Sequence, residues 1–228
     1  MSKLKAVFFD IDNTLFPTGR FAALARRNAI RAMVEAGLPF DEESLNAKLA
    51  KVVRDRGPNY PHHFNILLSE AGWRDDPRLV AAAVIAYHGT KIHMKPYPEA
   101  RKTLLALRRS GYSLYIVSQG VPVKQWDKLM RLGLDRLFDE AFISESHKSS
   151  AFFRQLLKKL DIAPKEAVMV GDRLDSDILP ARQAGMRTVR LLQGSYSVQH
   201  PFQGQDSDAN VSSFGELPKA LARLQRAK

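Results

Sequence analysis

Residues 4–9, apart from Lys5, form an apolar and aromatic run that ends on two aspartates two positions apart, in "AVFFDIDNTLF". A run without alternation suits a strand covered on both faces of a parallel sheet, which narrows the fold before any other feature does. Along a strand, residues i and i+2 point the same way, so Asp10 and Asp12 would meet where the strand runs out. Carboxylates that close must share a proton or a cation.

Residues 112–118, 166–172 and 186–192 are further short strand candidates, with "AFIS" and "NVSSF" as weaker ones. Helix-period stretches separate them, and this alternation predicts an α/β fold built on a doubly wound parallel sheet. The interval between Asp12 and Ser118 breaks the rhythm. Phe21, Leu24, Ala25, Ala29, Ala32 and Met33 fall at helical spacing up to a stop near Gly37. Asp41 reads as the N-cap of a second helix carrying Leu45, Leu49, Val52 and Val53, and "HHFNILLSEAGW" and "DPRLVAAAVIAYHGT" predict one more each. Residues 17–94 are therefore expected to form a helical insert, with 1–16 and 95–228 as the core. "PYPEARKTLLALRRSGY" should return the chain to the sheet, with Pro98 near the first helical position and Gly111 just past the end. Residues 194–208 read as a polar loop before a basic closing helix.

A length of 228 residues is ample for a buried core, and the lack of cysteine excludes disulfides, thiolate zinc sites and cysteine nucleophiles. It also fits a cytoplasmic protein. The opening apolar stretch is too short for a signal peptide, and no segment approaches eighteen apolar residues. The 35 basic against 24 acidic residues give a net charge of +11. They are spread along helical segments without a nucleic-acid motif, so they read as solvated helix faces. Neither a nucleic-acid nor a membrane partner is expected.

Ligands of open parallel sheets bind beyond the carboxyl ends of the strands. There the first strand offers Asp10, Asp12 and Thr14, the second "SQG", and the third "GDRLDSD" with Asp172, Asp175 and Asp177. So many carboxylates around one point call for a hard cation, and oxygen ligands without His or Cys suit Mg²⁺. A calcium loop is excluded, because Leu15 and Phe21 stand where its glycine and bidentate glutamate belong. His62, His63 and His93 fit no zinc spacing, and Asp175 reads as a solvated helix-start acid.

"DIDNT", "SQG" and "GDRLDSD", in that order with a helical insertion after the first, resemble the haloacid dehalogenase (HAD) superfamily of aspartyl phosphohydrolases. "ARRNAIRAMVEAGLPFDEE", "NYPHHFNILL" and "PVKQW" are similar to an archaeal group of magnesium-dependent phosphatases within it, over residues 4–192. The resemblance implies a Rossmann-like core with an inserted α-helical cap of type C1, and possession of a homodimer interface. It further implies a Mg²⁺-dependent phosphomonoester hydrolase of a small phosphorylated metabolite, working through an aspartyl-phosphate. Asp10 would be the nucleophile and Asp12 the acid and then the base. Mg²⁺ would sit on the Asp10 carboxylate, the Asp12 carbonyl and Asp172, with Asp177 holding that shell. Thr14, Ser118 and the amide of Gln119 would bind the phosphoryl group, and Arg20, His62 and His63 of the cap would touch substrate. A phosphotransferase or phosphomutase of the same superfamily is the alternative, as is a non-catalytic, basic nucleic-acid-binding protein on this fold.

The chain departs from the superfamily at its usual Lys-Pro pair, where it reads "SESHKSSAFF". Counting back from Asp172 points at His147. Lys148 is nevertheless the expected phosphate-binding residue and the one permanent protein cation of the site, because a flexible four-carbon stem absorbs a one-residue shift.

Overall fold

A computed structural model of the chain describes residues 3–193 and 207–226. Backbone contacts divide the chain into two compact units, Met1–Gly19 with Lys95–Lys228, and Arg20–Met94.

Helix α1 (Thr18–Glu35) starts at the end of the first unit and, from Arg20 onward, belongs to the second, which continues with α2 (Glu42–Arg56), α3 (His63–Glu70) and α4 (Pro77–Gly89). The capping predicted from sequence is present. Asp41 Oδ1 accepts from Ser44 N at 2.8 Å and opens α2, and Gly57, at φ 82°, ends it. Ala29, Ile30, Met33, Leu45, Leu49, Leu67, Leu68, Leu79 and Ala83 close a core of their own, so each of the four helices buries apolar side chains within this unit.

Among the described residues of the other unit, six strands form one parallel sheet in the order β3-β2-β1-β4-β5-β6. They are β1 (Ala6–Phe9), β2 (Ser113–Gln119), β3 (Glu140–Ser144), β4 (Ala167–Gly171), β5 (Arg187–Leu191) and β6 (Ala209–Val211). Helices α5 (Ala100–Arg109), α6 (Pro122–Arg131), α7 (Ser150–Lys159), α8 (Leu179–Gln183) and α9 (Leu217–Arg226) connect and close them. Both faces of β1 are covered, as its unbroken apolar run requires. Ala6 and Phe8 pack with Tyr115, Val117, Met169 and Phe153, while Phe9 meets the rings of Phe138 and Phe214 at 6.0 and 6.4 Å. The chain leaves β1 toward β2 and β3, then returns to the other side of β1 with β4, so the order reverses at β1. Such a reversal leaves a crevice at the carboxyl ends of the strands.

Pro98 does not open α5. Glu99 adopts a left-handed φ of 63° ahead of the first helical residue, Ala100, so the proline stands before the cap. Gly111 does fall just past the end, at φ 85°. Most of the expected polar loop, residues 194–206, lies outside the described residues. No helix among the described residues is long and apolar enough to cross a membrane.

Candidate active site

Strand register brings the motifs together. Phe9 pairs with both Ile116 of β2 and Val170 of β4, so Asp10, Ser118 and Asp172 emerge side by side, one or two positions beyond that rung. Asp10 N still donates to Val170 O at 3.1 Å. The chain then turns sharply. Leu15 N returns to Ile11 O and Asn13 N to Phe16 O, with Asn13 at a φ of 58° that asparagine tolerates better than most side chains. After β4, residues Leu174–Ile178 form a turn of π-helix that folds Asp177 back toward the strand, where its Oδ2 accepts from Arg173 N at 3.1 Å. Gly171 makes this possible, because a Cβ there would lie 2.5 Å from Asp177 Cβ.

Carboxylate oxygens of Asp10, Asp172 and Asp177 lie within 4.8 Å of one another, all buried. Lys148 reaches between them. Its Nζ donates to Asp10 Oδ1 at 2.8 Å and also to Asp177 Oδ1. Thr14 Oγ1 lies 3.5 Å from Asp172 Oδ1. Ser118 Oγ and Asp172 Oδ2 are buried without a hydrogen-bond partner among the described residues. Leaving such atoms unpaired costs about 1–3 kcal/mol each, so the donor suits a phosphoryl oxygen and the acceptor a cation. The donor set is all oxygen and fits a hard divalent metal. Both Asp177 oxygens are engaged, by Lys148 and Arg173 N, whereas Lys148 takes Oδ1 of Asp10, so Asp10 and Asp172 are the carboxylates left to hold one.

The Asp12 carboxylate stands outside that triad. Lys128 Nζ bridges its two oxygens at 2.5 and 2.8 Å, Thr18 Oγ1 donates to Oδ1 at 2.6 Å, and Gln125 Nε2 donates to Oδ2 at 3.1 Å. Lys148 is therefore not the single lysine here, contrary to the expectation from sequence. Gln125 and Lys128 are three apart on α6, hence on one face of the helix that follows "SQG", and that spacing is the signal that could have revealed them.

The two neighbouring aspartates are driven in opposite directions. Burial raises the Asp10 carboxyl to about 7 against the pull of Lys148, helped by the charges of Asp177 and Asp12. Burial likewise lifts Asp172 to about 8, reinforced by Asp10 and Asp177. Asp12 is also pushed up by burial, but the Lys128 ammonium, with hydrogen bonds from Lys128, Thr18 and Gln125, outweighs this and holds it below the usual carboxylate range. For Lys148, burial pulls downward, and the charges of Asp10 and Asp177 more than offset it. These directions are the reverse of what an ionised nucleophile at Asp10 and a proton-bearing acid at Asp12 need, so Asp10 calls for a cation beside it and Asp12 for a proton gained before it acts as acid.

Gln119 ends β2, and its carbonyl accepts from Gln125 Nε2 at 2.8 Å. His147 is exposed while Lys148 is buried. Asp175 turns outward to Arg173, at 3.1 and 2.7 Å. Arg20, His62 and His63 belong to the second unit, where Arg20 and His62 are exposed and the His63 ring bonds the Gly57 carbonyl at 2.9 Å.

Comparison with known proteins bears on this geometry. A family model for haloacid dehalogenase-like hydrolases matches residues 4–185. Glyceraldehyde 3-phosphate phosphatase of Methanopyrus kandleri is 48% identical over 98% of this chain and 99% of its own. The protein of that name from Pyrococcus furiosus is 39% identical over 99% and 95%. The crystal structure of a HAD phosphatase from Thermococcus onnurineus shares the fold, with a TM-score of 0.65 and 24% identity over 96% of this chain and 98% of that one. The chain belongs to the haloacid dehalogenase-like hydrolase family and is a phosphatase of that family.

Proposed function

We propose that the chain is a Mg²⁺-dependent phosphomonoester hydrolase that takes glyceraldehyde 3-phosphate and works through an aspartyl-phosphate. The observation that carries the chemistry is the convergence of Asp10, Ser118, Lys148 and Asp172 at the ends of adjacent strands. The substrate rests on the two archaeal relatives that bear its name.

In this reading Asp10 attacks phosphorus and the ester oxygen departs with a proton from Asp12. Water then attacks the same phosphorus, the Asp10–phosphorus bond breaks, and Asp12 takes the water's proton. Thr14, Ser118 Oγ, the Gln119 amide and Lys148 hold the phosphoryl oxygens. Lys148 also offsets the charge of Asp10 and Asp177. A magnesium ion on Asp10, the Asp12 carbonyl and Asp172, with Asp177 keeping Lys148 and the loop in place, would supply charge neutralisation for the phosphoryl group. Residues 20–94 act as the cap that selects substrate, with Arg20, His62 and His63 as contacts, and the protein works in the cytoplasm as a homodimer.

The test is phosphate release from glyceraldehyde 3-phosphate beside a panel of phosphorylated metabolites, with Mg²⁺ and with chelator, for the native chain and Asp10→Asn. Turnover should need the metal and fall by about 10⁴-fold or more in the variant. Substantial activity in Asp10→Asn would sink the covalent route, and a better substrate in the panel would replace the proposed one.

A further inference from the structure

We infer that Lys128 is a positioning residue for Asp12, which it locks together with Gln125 and Thr18 into the single orientation that the hydrolytic half-reaction needs. The inference rests on the proposed role of Asp12.

Asp12 lies on the loop beyond β1, outside the sheet and bridged through its backbone to Phe16, whereas Asp10 is wedged among buried groups. Its orientation must come from hydrogen bonds. The Lys128 ammonium spans both oxygens, and one neutral donor sits on each, Thr18 on Oδ1 and Gln125 on Oδ2. Together they leave the carboxylate little freedom to rotate. Gln125 Nε2 also donates to the Gln119 carbonyl, which ties this clamp to the phosphate-binding loop. The amide fits there because residue 120 is glycine, since a Cβ would stand 2.8 Å from it.

Stability is a poor reason for such an arrangement. The Lys128 and Asp12 side chains are 22% and 30% exposed, and partly solvated ion pairs contribute little. Orientation is a better one, because displacing a catalytic group by about 1 Å can cost about 10²-fold in rate. The two lysines thus divide the work, Lys148 serving Asp10 and Asp177 and Lys128 serving Asp12. In the step at issue the water oxygen bonds to phosphorus, the Asp10–phosphorus bond breaks, and the proton passes to Asp12. Lys128 touches none of those atoms.

Rapid-quench kinetics on the full chain with Mg²⁺ and p-nitrophenyl phosphate provide the test, since this leaving group departs without protonation. Lys128→Met should form protein-bound phosphate at close to the native rate but hydrolyse it about 10²-fold more slowly, so that phosphoenzyme accumulates. Lys128→Arg should restore part of the hydrolysis rate. Thr18→Val, which removes a different donor, should give the same split in weaker form. Formation and hydrolysis falling together, or neither falling, would overturn the inference. If Asp12→Asn accumulates phosphoenzyme and Lys128→Met does not, only the role of Lys128 is lost. If neither the native chain nor Asp12→Asn ever carries protein-bound phosphate, the aspartyl-phosphate reading fails and takes this inference with it.

Discussion

Lys148 donates to Asp10 Oδ1 at 2.8 Å from a side chain 3% exposed, while its sequence neighbour His147 points to solvent. Lys148→Ala is accordingly expected to lower kcat/KM by about 10³-fold at saturating Mg²⁺, the scale for removing one donor from a developing charge. His147→Ala should stay within about twofold of native, as surface changes do. Steady-state kinetics of the pair decide it. A collapse of the histidine variant alone would reverse the assignment.

Metal and proton compete for the same oxygens. With Asp10 raised to about 7 and Asp172 to about 8, the folded chain holds protons that an unfolded carboxyl, near ~3.9, has released. Their effect on the stability of the metal-free protein is least harmful below about pH 4, and stability falls as pH rises until both groups ionise near pH 8. The fall is at most about 1.4 kcal/mol per pH unit for each group. The gap in Tm between Mg²⁺-loaded and chelated protein should therefore widen from about pH 5 to about pH 8. A gap that does not change with pH would place the metal elsewhere.

Gly171→Ala forces a methyl group into Asp177. Overpacking of this kind costs about 1–3 kcal/mol. Because Asp177 anchors Lys148, activity should fall by more than the loss of folded protein explains. Denaturant midpoints measured beside kcat separate the two effects.

Tyr97 N donates to Leu15 O at 2.9 Å, so the points where the chain leaves and re-enters the sheet-bearing unit are already joined. Replacing residues 20–94 by a short glycine-rich linker is expected to leave a folded core that still hydrolyses aryl phosphates but no longer ranks metabolites. A folded core with unchanged ranking would show that selectivity lies outside the insert.

What the sequence discloses follows from the range of each signal. Asp10, Asp12 and Asp172 are legible because an apolar run ending in a carboxylate is a local pattern, and neighbouring parallel strands turn such patterns into proximity. Lys148 is legible only to within one residue, since the loop after β3 lacks the proline that would fix its count. Lys128 and Gln125 stay hidden, because their partner Asp12 is more than a hundred positions away and only the approach of α6 to the first loop joins them. Pro98 misleads because Glu99 reverses the backbone where a proline would normally open a helix.

The sheet order has a consequence for how activity is lost. β1, β2 and β4 each have a strand on both sides, whereas β3 and β6 are the edges among the described residues. Amide hydrogens of the interior strands should exchange only through global opening, and those of the edges through local fraying. Lys148 follows the edge strand β3, so the nucleophile is carried by the slowest-opening part of the sheet and its cation by one of the fastest. On warming, inactivation should precede unfolding, with the loop between β3 and α7 melting away from a nucleophile whose own strand is still intact.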